Sequence, residues 1–131
     1  MVMIRRLTER FPSTVDGFRA FEPDVDERLR PLVHLPRGWN GYGAPPPNRR
    51  SLGLASTVME TLDPTRIRAD AEGGVGLYFG GVSRFVHLCI DNDGDAAAAF
   101  VDDSTGALTA EDVDLDALSS LRQRIDEWLR G

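Results

Sequence analysis

Between Thr65 and Val101, short apolar runs alternate with turn-forming residues, and this stretch limits the possible folds more than any other. Val75-Gly76-Leu77-Tyr78-Phe79 alternates, which places Val75, Leu77 and Phe79 on one face of an extended strand. Gly80-Gly81 follows as a tight hairpin turn. From Val82 to Ile90, residues Val82, Val86, Leu88 and Ile90 face one way, and Ser83, Phe85, His87 and Cys89 the other. Arg84 interrupts the first set near the strand's start, where an end position reaches solvent. Asn92-Asp93-Gly94-Asp95 is a second hairpin turn, and Ala96 to Val101 is the return strand. Upstream, Thr65 to Asp70 reads as a strand centred on Ile67, joined onward by Ala71-Glu72-Gly73-Gly74. Connections this short join only antiparallel neighbours, so the stretch predicts a four-stranded meander. Ala96 to Ala99 leave room for an element close above them, most simply a helix.

Helices are expected on either side. Asn48 is an N-cap, and Leu52, Ala55, Val58, Met59 and Leu62 share one side of the helix that follows. Arg49, Gly53, Ser56 and Glu60 fall on the other side, and Asp63-Pro64 stops the helix. Earlier, Asp24 with Glu27 forms a capping box, and Val25, Leu29, Leu32 and Val33 share a face. Pro31 kinks or shortens that helix, and Pro36-Arg37-Gly38 ends it. After a loop at residues 102–106, a last helix is expected to begin between Glu111 and Asp114. Its apolar side is Leu118, Leu121, Ile125, Trp128 and Leu129, flanked by Arg122 and Arg124. The expected fold is therefore α+β: a four-stranded antiparallel β-meander with two or three helices packed on one face. Residues 24–131 form this single domain. Residues 1–23, with Ile4, Leu7, Phe11, Val15, Phe18 and Phe21, read as an arm over the core or against a partner.

The run Trp39-Asn40-Gly41-Tyr42-Gly43-Ala44, backed by Pro45-Pro46-Pro47, carries two aromatics and two glycines in six residues. It reads as an ordered loop clamped by its aromatics, with Trp39 filling a gap between helix and sheet and Tyr42 closing the turn. The same residues offer an aromatic patch suited to protein contact. The run resembles the W-[DN]-G-Y-G-A-x-P signature of small, largely uncharacterised bacterial proteins. Their pattern continues with a helix, a strand, a Gly-Gly turn and a strand. Here these correspond to Asn48 to Leu62, Arg66 to Asp70, Gly73-Gly74 and Val75 to Phe79. The similarity covers about Leu32 to Val101 and implies no particular activity. Asn40 stands where Asp is commoner, which removes a carboxylate and any acid or metal role resting on it.

A chain of 131 residues has room for a single core. Its net charge of −6 argues against general affinity for nucleic acid or anionic membrane. No apolar run reaches membrane-spanning length, and the first residues lack the apolar segment of a secretory signal. Cys89, the single cysteine, excludes an internal disulfide. A cytoplasmic protein is expected, and a bacterial one on the strength of the resemblance.

No catalytic or ligand motif is complete. His87 and Cys89 share a face of one strand but stand ~7 Å apart, too far for direct proton transfer. Asp91 to Asp95 mimics a calcium loop but carries Gly94 at the fourth position rather than the sixth. Gly73-Gly74-Val75-Gly76 lacks the lysine and hydroxyl of a phosphate loop. Two histidines and one cysteine do not build an ordinary structural zinc site. No catalytic residue, metal or cofactor is therefore expected.

The expected function is a non-catalytic protein-interaction module, an accessory, antitoxin-like or immunity-like component of a bacterial defence or conflict system. Its partner-binding residues are Trp39, Asn40, Tyr42, Arg66, Arg68 and Arg84, and its partner a protein encoded nearby. The alternative is a small enzyme or ligand-binding domain with a pocket under the Trp39 loop, built from Asn40, Tyr42, His87 and Arg84. A third reading is a nucleic-acid-binding subunit using Arg66, Arg68 and Arg84 beside Tyr78, Phe79 and Phe85.

Overall fold

A computed structural model describes residues 26–131. The arm expected at residues 1–23 and the cap expected at Asp24 lie outside the described residues. Asp26 caps the first described turn: its carboxylate accepts from the Arg28 N–H at 2.9 Å. A 3-10 turn, Glu27–Leu29, then runs into helix α1, Arg30–Val33. Pro31 sits in the first turn of α1, where a missing N–H is tolerated. Pro31 thus opens the helix instead of kinking it, and the helix closes after four residues, ahead of Pro36.

Helix α2, Arg49–Met59, begins at the predicted N-cap, where Asn48 Oδ1 accepts from the Ser51 N–H at 2.8 Å. The start of α2 is also tied to two turns of the sheet. Asn48 N and Ser51 Oγ both donate to the Gly73 carbonyl, at 3.1 Å each. Asn48 Nδ2 donates to the Asn92 carbonyl at 2.8 Å. Ser56, assigned to the polar side, is buried, and its hydroxyl accepts from the Asp26 N–H at 2.8 Å.

The sheet is an antiparallel meander of five strands, not four: β1 (Arg66–Ala69), β2 (Val75–Gly80), β3 (Arg84–Ile90), β4 (Ala96–Asp102) and β5 (Ala107–Val113), in that order. The added strand replaces the predicted loop and helix start. Gly106, at φ 77°, turns the chain back after Asp102, and β5 pairs with the whole length of β4. Of the acids read as a helix start, Glu111 and Asp112 lie in β5, where the exposed Asp112 puts charge on an edge strand and discourages further strand addition. The last helix, α3, spans Leu118–Arg130. Val82 also departs from expectation. It lies outside β3, at the tip of the β2–β3 turn, and is 92% exposed.

All three helices pack on one face of the sheet. There Val75, Leu77, Val86, Leu88 and Ile90 are wholly buried against Leu52, Ala55 and Val58 of α2 and Leu121 and Ile125 of α3. Burying such side chains contributes about 1.5–3 kcal/mol each, so this layer dominates stability. Of the four alanines expected beneath a helix, Ala96 and Ala98 point into this layer, while Ala97 and Ala99 lie on the opposite face because strand residues alternate. The register sends the alternate set to the other face: Arg66, Arg68, Gly76, Tyr78, Phe85, His87, Cys89, Ala97, Ala99, Val101, Leu108, Ala110 and Asp112. None of these belongs to the buried core cluster.

Candidate functional site

The Trp39 loop is braced by its own polar groups. Asn40 Oδ1 accepts from the Tyr42 N–H at 2.9 Å and from the Ala44 N–H at 3.3 Å. Gly38 N donates to the Ala44 carbonyl at 2.7 Å and closes the loop, while Gly41 N donates to the Gly38 carbonyl at 2.9 Å. Gly41 and Gly43 have φ of 83° and 80°, a region that side chains rarely enter. Trp39 is half-buried and donates its indole N–H to the Pro45 carbonyl at 2.9 Å. Trp39 thus fastens the loop to its proline exit and is not part of the main core. Tyr42 does not close the turn: it is 92% exposed, at the loop's tip. Ala44 and Pro47, not the aromatics, are the buried residues of the segment.

The three candidate arginines do not converge. Arg66 and Arg68 stand on the open face of β1, where the Arg66 guanidinium lies 4.7 Å from the Tyr78 ring centre. Arg84 stands on the helix face of β3. Its guanidinium lies 4.2 Å from the Trp128 ring centre, donates to Asp102 Oδ2 at 2.6 Å and donates to the Trp128 carbonyl. Strand parity separates them, because Arg84 shares its face with Val86 and Leu88. Asp102 also accepts from the Ser104 hydroxyl at 2.6 Å. That bond, with Arg84 alongside, holds its carboxyl below the ordinary carboxylate range. Arg124 repeats the pattern nearby, paired with Glu111 and 5.4 Å from the Phe100 ring centre. Arg84, Phe100, Glu111, Arg124 and Trp128 line a shallow cavity of about 320 Å³ between α3 and the sheet.

His87 and Cys89 face the open side without meeting. His87 stacks flat on Tyr78, with ring centres 4.3 Å apart and planes 3° from parallel. Burial pushes its pKa down, Asp70 opposes that shift, and Arg68 adds to it. Cys89 donates to Asp70 Oδ2 at 3.3 Å. Burial, helped by Asp70, pushes the thiol up to about 11, so it is a poor nucleophile at neutral pH. Among the described residues no group of three or more His, Cys, Asp or Glu side chains is placed to hold a metal ion. No helix among them is long and apolar enough to cross a membrane.

The residues of the alternative reading are also dispersed. Asn40 and Tyr42 belong to the loop, His87 to the open face, and Arg84 to the helix face. The Tyr78–His87 stack was not foreseen from sequence. Its signal was the alternation that puts Tyr78 and His87 out of phase with the core positions of adjoining strands. The chain matches no family model, no curated protein and no solved structure.

Proposed function

We propose that the protein is a non-catalytic protein-interaction module that presents Tyr42 to a protein partner. The observation that carries this reading is a 92% exposed tyrosine on a loop whose backbone is fixed from within. A backbone held in place before binding loses little conformational freedom on contact, and tyrosine is among the residues that dominate binding energy. In this reading Tyr42 makes the contact, and Asn40 and Trp39 position it. The net charge of −6 favours a basic partner surface and speeds encounter with it. Arg66 and Arg68 belong to a separate surface, and Arg84 fastens α3 to the sheet. An accessory, antitoxin-like or immunity-like role in a bacterial conflict system, with the partner encoded nearby, rests on the resemblance of the Trp39 run.

The test is affinity capture from the native host, comparing the wild-type chain with Tyr42→Ala and Val82→Ala. Val82 is equally exposed and serves as the control. The reading expects one stoichiometric protein whose retention falls at least tenfold with Tyr42→Ala and stays unchanged with Val82→Ala. Full retention by Tyr42→Ala would sink it.

A further inference from the structure

The open face of the sheet carries a pattern that complements itself. One cross-strand row reads Arg66, Tyr78, His87, Ala99, Ala110 from β1 to β5. The next row reads Arg68, Gly76, Cys89, Ala97, Asp112. The bulky side chains Arg66, Arg68 and Tyr78 all stand on the β1–β2 half. Across β3, the β4–β5 half of these rows is alanine apart from one acid, Asp112. Ala97, Ala110 and Asp112 are exposed. In the row nearer the β2–β3 turn, Phe85 and Val101 are half-buried, and Leu108 is 66% exposed.

We propose that this face binds a second copy of the chain, about a two-fold axis running along β3. Such an axis lays β1 of one copy over β5 of the other and keeps each row in place. Arg68 then meets Asp112 of the other copy, twice per dimer. Tyr78 falls on Ala99, Arg66 falls on Ala110, and Phe85 meets its own counterpart on the axis. On the axis His87 and Cys89 also meet their own counterparts; to either side of it in these two rows, Tyr78 and Arg66 land on alanines and Arg68 lands on Asp112. A two-fold contact requires this self-complementarity, and sheets packed face to face with nearly aligned strands provide its geometry.

The size of the face sets the class of contact it can make. Five strands spaced at ~4.8 Å and four to seven residues long give a flat footprint of at most roughly 24 × 20 Å, or ~500 Å² per copy. That falls below the ~800 Å² per partner of a standard stable interface, which places the contact among weak, transient ones. This inference stands apart from the role of Tyr42, which lies on the loop and not on this face.

Sedimentation velocity of the full chain between about 1 and 300 µM tests it. The wild type is expected to pass from monomer to dimer. Arg68→Asp and Asp112→Arg alone should each raise the dissociation constant at least tenfold, because each places like charges together at two points. The double variant Arg68→Asp with Asp112→Arg restores both pairs and should return to within about threefold of wild type. Both positions are exposed, so the fold tolerates these changes, and circular dichroism verifies it. Ala99→Trp, which blocks the seat of Tyr78, should also abolish the dimer. Three outcomes overturn the proposal: a monomer at every concentration, a dimer that none of the variants weakens, or single variants that weaken it without rescue by the double. The first of these would leave the face to a different occupant, such as residues 1–25 or another protein.

Discussion

Asn40→Ala isolates the brace beneath Tyr42. The substitution deletes one acceptor that takes two backbone N–H groups, at 2.9 Å and 3.3 Å. A net hydrogen bond contributes about 0.5–1.5 kcal/mol, and the longer of the two belongs at the low end. Tyr42 N lies in an exposed loop and can rebond to water, whereas Ala44 is buried and its N–H is less easily satisfied. The loss should therefore total about 1–2 kcal/mol, which lowers Tm by roughly 3–8 °C in a domain of this size. Asn40→Asp keeps the acceptor oxygen and should lie within about 0.5 kcal/mol of wild type. Urea unfolding monitored by circular dichroism gives the stabilities. Amide exchange at Tyr42 and Ala44 reports the loop directly, and both amides should exchange faster in Asn40→Ala alone. If Asn40→Ala matches wild type in both measurements, the carboxamide does not brace the loop and the case for a pre-organised Tyr42 fails.

Other perturbations test other parts of the fold. A Cβ on Gly76 would lie 2.8 Å from His87 Nε2, so Gly76→Ala should displace the imidazole from Tyr78 at a cost of about 1–2 kcal/mol; with burial relieved, the His87 pKa measured by NMR should rise toward 6.5. Gly80 has φ 100°, and a Cβ there would lie 2.9 Å from the Arg84 carbonyl, so Gly80→Ala should cost at least about 2 kcal/mol in urea unfolding. Asp102 has a folded pKa below its ordinary 3.8, so its contribution is present at neutral pH and is lost as pH falls from 3.8 through the folded value. Asp102→Asn should therefore lower the urea midpoint at pH 7, and the gap from wild type should narrow in acid. The Cys89 thiol titrates near 11 instead of 9.0, so iodoacetamide at pH 8 should label the folded chain about 100-fold more slowly than the urea-unfolded chain. The unfolded thiol ionises first, so stability should decline between pH 9 and 11.

The core was legible because it follows one period at a time. Leu52, Ala55, Val58, Met59 and Leu62 keep helical spacing, and Leu77, Val86, Leu88 and Ile90 keep strand spacing; all are buried as expected. β5 was missed because an edge strand covered on one face, and only in part, lacks a clean alternation. Leu108 is exposed, and Glu111 sits on the helix face because Arg124 pairs with it. Val82 continues the apolar phase of β3, but the hairpin reverses at residues 81–83 and leaves it in solvent. Arg84 keeps that phase too. It is tolerated near the core because Asp102, the Trp128 ring and the Trp128 carbonyl receive its guanidinium, and these partners lie 18 and 44 residues away. Sequence spacing carries no trace of such partners. The exposure of Tyr42 was hidden for a related reason, since an aromatic between glycines is equally compatible with a plug and a projection.

The ties from Asn48 and Ser51 to Gly73 and Asn92 have a consequence for the order of events during folding. They join positions 22 to 44 residues apart, and their acceptors sit in two separate turns of the sheet. Helix α2 can fray and reform alone within about a microsecond, but it acquires its final seat only after both reversals of the chain have closed. The Asn48 amide, which donates to the Gly73 carbonyl, should therefore gain its exchange protection together with the sheet and not with α2 alone.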